Sequence, residues 1–145
     1  MPNGNANGTI FIETKYPPAY WGIAATLSQT KEVVIKSGAS ESNSLDFSSP
    51  DLVGYSTMGI ITASTWTSAT MSIQGSVDNV NFFPIHMWTG TTAFNSGGAV
   101  AASQMHIFDG LILRGIPYIR FVSGTFSTRV NQTNTTILTI LLGTI

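Results

Sequence analysis

Short apolar segments that alternate with polar positions fill the chain from residue 52 onward. In residues 71–77, one face carries Met71, Ile73, Gly75 and Val77. The opposite face carries Ser72, Gln74 and Ser76. A period of two is typical of a β-strand, so this segment predicts one buried face and one solvated face. Residues 118–122 alternate in the same way. Residues 137–142 are apolar on both faces, which predicts a strand in the middle of a sheet or against a neighbour.

These segments recur about every 8 to 15 residues, are separated by turn residues and show no helical period. They predict an all-β fold, a two-layer antiparallel β-sandwich of about eight strands with a jelly-roll topology. Residues 9–145 are expected to form this single domain, beginning with a strand at 9–13. Residues 1–8 are too polar and too rich in glycine to order by burial, so they predict an extended, flexible N-terminal arm.

One hairpin is marked by Asp78 and Asn79, both of which accommodate the positive φ angles of a tight turn. Phe82 and Phe83 follow and are expected to begin the return strand as buried aromatic residues. Pro84 lacks a backbone N–H, so the return strand is expected at a sheet edge or at a bulge.

Composition narrows the classes of partner. Only 9% of the residues are charged and the net charge is -1, so the chain has no basic field for nucleic acid or anionic lipid. It has no cysteine, which excludes disulfides and thiolate metal sites. We expect no secretory signal in residues 1–8 and no segment that crosses a membrane. A weakly charged surface is typical of a protein that works in contact with others.

Residues that could carry chemistry are few and scattered. The seven carboxylates show no short-range pairing, and a glycosidase would need two of them facing each other. His86 and His106 could share a metal, but the H-x-H spacing of a cupin-like site is absent. The chain also lacks a G-x-S-x-G elbow and a glycine-rich phosphate loop. We therefore expect no enzyme activity, no cofactor and no metal.

Aromatic residues leave an alternative open. Trp66 and Trp88 lie near predicted strand ends, and Tyr16, Tyr20 and Trp21 lie close together near the N-terminus. Exposed aromatic rings could stack on sugars, although core or interface positions are commoner in a sandwich of this size.

The segment from about residue 58 to 142 resembles a recurring pattern in small structural proteins of tailed bacteriophages. The matching residues are Gln74, Ser76, Asp78, Phe82, Gly115, Tyr118, Ile119, Arg120, Ser123, Gly124, Thr125 and Gln132. The pattern usually has glycine where this chain has Asn79, but asparagine also tolerates a positive φ. The resemblance implies that Gly124 permits a turn between strands. It also implies that Arg120 projects from a sheet and pairs with a neighbour or a backbone carbonyl.

The resemblance implies a non-enzymatic virion protein, made in the host cytoplasm and located on the capsid surface. It implies a decoration or cement protein that binds the assembled head. Its expected partners are the major capsid protein and further copies of itself, with which it forms a trimer. We expect the N-terminal segment to reach a neighbour by strand addition, through Asn3, Asn5, Thr9, Phe11, Tyr16, Tyr20 and Trp21. A carbohydrate-binding module and a tail or baseplate component remain as alternatives.

Overall fold

The computed structural model describes residues 26–86, 88, 93–108 and 113–144. These residues form nine strands and no α-helix. The strands are β1 (Thr26–Ile35), β2 (Leu45–Asp46), β3 (Ser56–Thr62), β4 (Ala69–Ser76), β5 (Phe83–Pro84), β6 (Asn95–Val100), β7 (Met105–Ile107), β8 (Tyr118–Ser123) and β9 (Thr136–Thr144). The predicted arm 1–8 and the predicted strand 9–13 lie outside the described residues.

The strands form two antiparallel sheets. Sheet A has the order β1-β9-β3-β7, and sheet B has the order β2-β8-β4-β5, with β6 also paired to β4. Apart from β5, the first four strands pair with the last four in reverse order, as β1 with β9, β2 with β8, β3 with β7 and β4 with β6. A long hairpin rolled into two layers in this way is a jelly roll, so the predicted sandwich is confirmed. The two-residue strand β5 raises the number from about eight to nine.

The core lies between the inward faces of the two sheets. Its fully buried members come from both layers: Val33, Ile35, Ile119, Phe121, Leu138, Ile140 and Leu142. Strand β9 lies between β1 and β3, as its apolar residues on both faces predict. Strand β9 forms one antiparallel ladder with β1 and a second with β3. These two ladders hold sheet A together.

The outer face of β4 differs from the prediction. Ser72, Gln74 and Ser76 are buried rather than solvated, because polar groups of neighbouring segments cover them and bind them. The Ser72 hydroxyl, for example, donates to the carbonyl oxygen of Gly124 at 2.6 Å. Val77 lies beyond the end of β4 and is exposed, so its assignment to the buried face was wrong.

The return strand after the hairpin is short and lies at the edge of sheet B, as Pro84 predicts. Phe83 is 63% exposed, so the expectation that it is buried was wrong. An edge strand of two residues has no neighbouring strand to cover its outer side. Phe82 is half-buried, and the guanidinium carbon of Arg120 lies 4.3 Å from the centre of its ring.

Candidate functional site

The turn after β4 is organised by the carboxylate of Asp78. Its Oδ1 atom accepts hydrogen bonds from the backbone N–H groups of Val80 at 2.9 Å and Asn81 at 2.8 Å. These bonds hold the pKa of Asp78 well below its usual value. Asn79 adopts a φ of 61°, the left-handed conformation that the predicted turn requires. The Asp78 carboxylate therefore caps a turn.

Gly124 directly follows β8 and begins a tight loop, which returns to pair with it through an isolated bridge at Arg129. Its φ is 99°, a conformation that side chains rarely permit. A Cβ at this position would clash with the carbonyl oxygen of Thr128 and would lie 2.7 Å from the backbone nitrogen of Val130. The loop thus requires glycine on two grounds.

Gln132 joins three segments in the interior. Its Oε1 atom accepts from the backbone N–H of Thr67 at 2.6 Å, and its Nε2 atom donates to the Thr67 carbonyl at 3.0 Å. The same Nε2 donates to the Ser123 hydroxyl at 2.8 Å. The side chain is 1% exposed, so these bonds replace water completely. Gln132 therefore acts as an internal crosslink.

A charged cluster lies on the outer face of sheet B. Arg120 donates through Nε to Gln74 at 2.9 Å and through Nη2 to Glu41 at 3.3 Å, while Arg129 donates to the same Glu41 oxygen at 2.6 Å. The Arg129 hydrogen bond holds the pKa of Glu41 below its usual value, and burial lowers the pKa of Arg120. Glu41 is 88 residues from Arg129 in sequence, so the local pattern of polar and apolar residues could not indicate this ion pair.

The two histidines do not meet in a metal site. His86 is exposed, and His106 is half-buried with its Nε2 3.0 Å from the Oε1 atom of Gln104. Among the described residues, no group of three or more histidine, aspartate or glutamate side chains could hold a metal ion.

The two described tryptophans that could bind sugars have different environments. Trp66 is 4% exposed, and its indole N–H donates to the Val100 carbonyl at 2.8 Å, so it belongs to the core. Trp88 is fully exposed. Tyr16, Tyr20 and Trp21 lie outside the described residues, as do Asn3, Asn5, Thr9 and Phe11.

An apolar surface covers part of the outer side of sheet A. We call it the outer apolar face and define it by Ile61, Met105, Ile107 and Ile137. Met105 pairs with Ile61, Ile107 pairs with Gly59 of the same strand, and Ile137 lies on the adjoining strand β9. Exposed fractions reach 60% for Met105, 66% for Ile107 and 42% for Ile137.

The neighbours of these residues show why they point outward. Ile60, Leu138 and Ile140 alternate with them along β3 and β9 and are buried in the core. A group of exposed apolar residues on one sheet face is a feature of surfaces that bind other molecules. Sequence alone could not reveal it, because it depends on the register between β3, β7 and β9.

Comparisons with protein-family models, with curated proteins and with solved structures find no match to this chain. In the part of the chain that the structure describes, no helix is long and apolar enough to cross a membrane.

Proposed function

We propose that this protein is a non-enzymatic structural component of a tailed-bacteriophage virion, which decorates the capsid and stabilises the assembled head. The observation that carries the proposal is the outer apolar face, since Met105 and Ile107 expose most of their apolar surface on a regular sheet. Removing such side chains from water on contact with a partner is favourable, at about 25 cal/mol for each Å² buried.

The polar residues of the phage-like pattern support a structural role rather than a chemical one. Gln74, Asp78 and Gln132 each bind other parts of the same chain. Gly124 has a backbone conformation that its turn requires.

The proposed mechanism is linkage by mass action. A subunit that binds the assembled shell and not the free capsid subunits lowers the free energy of the shell at every copy. The partners in this proposal are the major capsid protein and further copies of the chain, arranged as a trimer. In the proposal, the N-terminal segment adds a strand to a neighbour through residues 9–13, for which the sequence predicts a strand.

Substitution of one exposed apolar residue tests the proposal. Ile107→Lys introduces a charge into the outer apolar face, and we expect its affinity for purified heads that lack the protein to fall at least about tenfold, as measured by co-sedimentation. Val80→Lys is the matched control, because Val80 is 77% exposed in the turn after β4. Equal binding by both variants would contradict the proposal, provided that both keep the wild-type melting temperature.

A second candidate function is carbohydrate binding, which the fully exposed Trp88 favours. A glycan array separates the two: glycan binding that Trp88→Ala abolishes would favour the sugar module. A tail or baseplate component is a third possibility with the same fold, and the position of the protein in the particle distinguishes it.

A further inference from the structure

A cavity of about 220 Å³ opens between the two sheets on the side of β6 and β7. It adjoins the outer apolar face at Ile107, which belongs to both, and its other lining residues lie within the sandwich and reach the core. The described residues that line it are Ile60, Met71, Ile73, Phe94, Asn95, Ser96, Val100, His106, Ile107, Phe108 and Phe121.

The inner wall is made of core side chains. Ile60, Ile73, Val100 and Phe121 are each at most 5% exposed, so the cavity penetrates to the centre of the fold. Two further rings, Phe94 and Phe108, meet edge to face, with centres 5.8 Å apart and planes at 75°. An aromatic guest could make the same edge contacts with these rings.

Of the three polar residues of the lining, Asn95 and Ser96 are occupied by bonds within the chain, and His106 contacts Gln104 through one ring nitrogen. Ser96 accepts from the Met71 N–H at 3.0 Å and donates to the Gly98 carbonyl at 2.6 Å. The Asn95 amide donates to the Ala93 carbonyl at 3.0 Å, and its oxygen accepts from the Gly97 N–H at 2.7 Å. A sugar or an ion in the cavity would lose hydrogen bonds to water and find few replacements.

We infer that this cavity binds one compact apolar molecule, a one-ring or fused two-ring aromatic compound. An apolar cavity of about 150 Å³ in another protein stays free of water and takes up benzene, so the volume here is sufficient for a guest of that class. Transfer of the guest from water into apolar walls supplies the free energy. The inference does not rest on the proposed virion function, because it is argued from the volume and lining of the cavity, which shares Ile107 alone with the outer apolar face.

Titration of the wild-type protein with benzene and with indole, followed by NMR, tests the inference. We expect saturable binding, with intermolecular nuclear Overhauser effects to the methyl groups of Ile60, Ile73 and Val100. Glycerol at the same concentrations is the polar control and should give no such effects. Absence of binding, or effects confined to Met105 and Ile137 on the outer apolar face, would overturn the inference.

Two neighbouring isoleucines give a matched pair of variants. Ile60→Phe fills the cavity from β3 and should weaken benzene binding at least about tenfold, which corresponds to about 1.4 kcal/mol. Ile61→Phe makes the same change at the next residue, on the outer face, and should leave benzene binding unchanged. Equal affinities in the two folded variants would contradict the assignment. If Ile60→Phe does not fold, Val100→Leu narrows the cavity with a smaller change, and the wild-type titration still decides.

Discussion

Buried polar side chains hold together parts of this protein that are distant in sequence, and Gln132 is the clearest case. Gln132→Ala would leave the Thr67 backbone groups and the Ser123 hydroxyl without their partner in the interior. We expect the free energy of unfolding to fall by about 2–3 kcal/mol, as measured by urea denaturation. The control is Asn131→Ala at the exposed neighbouring position, expected within about 0.5 kcal/mol of wild type. Similar losses in both variants would contradict the crosslinking role of Gln132.

Glu41 should make stability depend on pH. Its folded-state pKa lies below the ordinary value of 4.5, because Arg129 and Arg120 stabilise the charged form. The stabilisation is therefore complete above about pH 5 and is lost as the pH falls through the folded-state pKa.

Comparison of wild type with Glu41→Gln isolates this effect, since the carboxylate of Asp78 is present in both. We expect wild type to be more stable by about 0.5–1 kcal/mol near pH 6, a modest figure because the carboxylate is partly exposed. The difference should shrink below pH 4.5 in denaturation curves measured at a series of pH values. A constant difference down to about pH 3 would show that the ion pairs are not its source.

At the scale of the element, the loop after β8 depends on the backbone of Gly124. Gly124→Ala forces a side chain into a φ of 99° and against the Val130 nitrogen, so we expect a loss of about 3 kcal/mol in the free energy of unfolding. Gly98→Ala is the matched control, because no atom lies within 4 Å of the added Cβ and its φ is not positive. That variant should stay within about 0.5 kcal/mol of wild type in thermal denaturation. If the two glycines tolerate alanine equally well, the loop does not need its left-handed residue.

Elements with a full period of two could be predicted from the sequence, whereas those that depend on distant partners could not. The apolar run of β9 indicated a central strand, and Pro84 indicated an edge. The outer face of β4 was misjudged, because Gln74 is covered through Arg120, 46 residues away. Strand β6 contains two glycines and has no alternation to detect. The charged cluster and the outer apolar face likewise arise from strand register, which a local pattern does not contain.

At the scale of the whole molecule, a jelly roll with few charges combines a rigid interior with surfaces that repel other proteins weakly. The outer apolar face and the cavity between the sheets meet at Ile107 and otherwise consist of different residues, so one fold offers two adjoining binding regions. In our proposal the first region joins the protein to a capsid, and the second holds a small apolar guest.

The number of copies in a particle tests the central claim most directly. Quantitative mass spectrometry of purified particles encoded by the same genome as this chain would give the ratio of this protein to the major capsid protein. Our account predicts a copy number of the same order as that of the major capsid protein, as expected for a shell covered by repeated copies, and it predicts that the protein remains with heads after they are separated from tails. Absence from the particle, or a few copies confined to the tail, would contradict it.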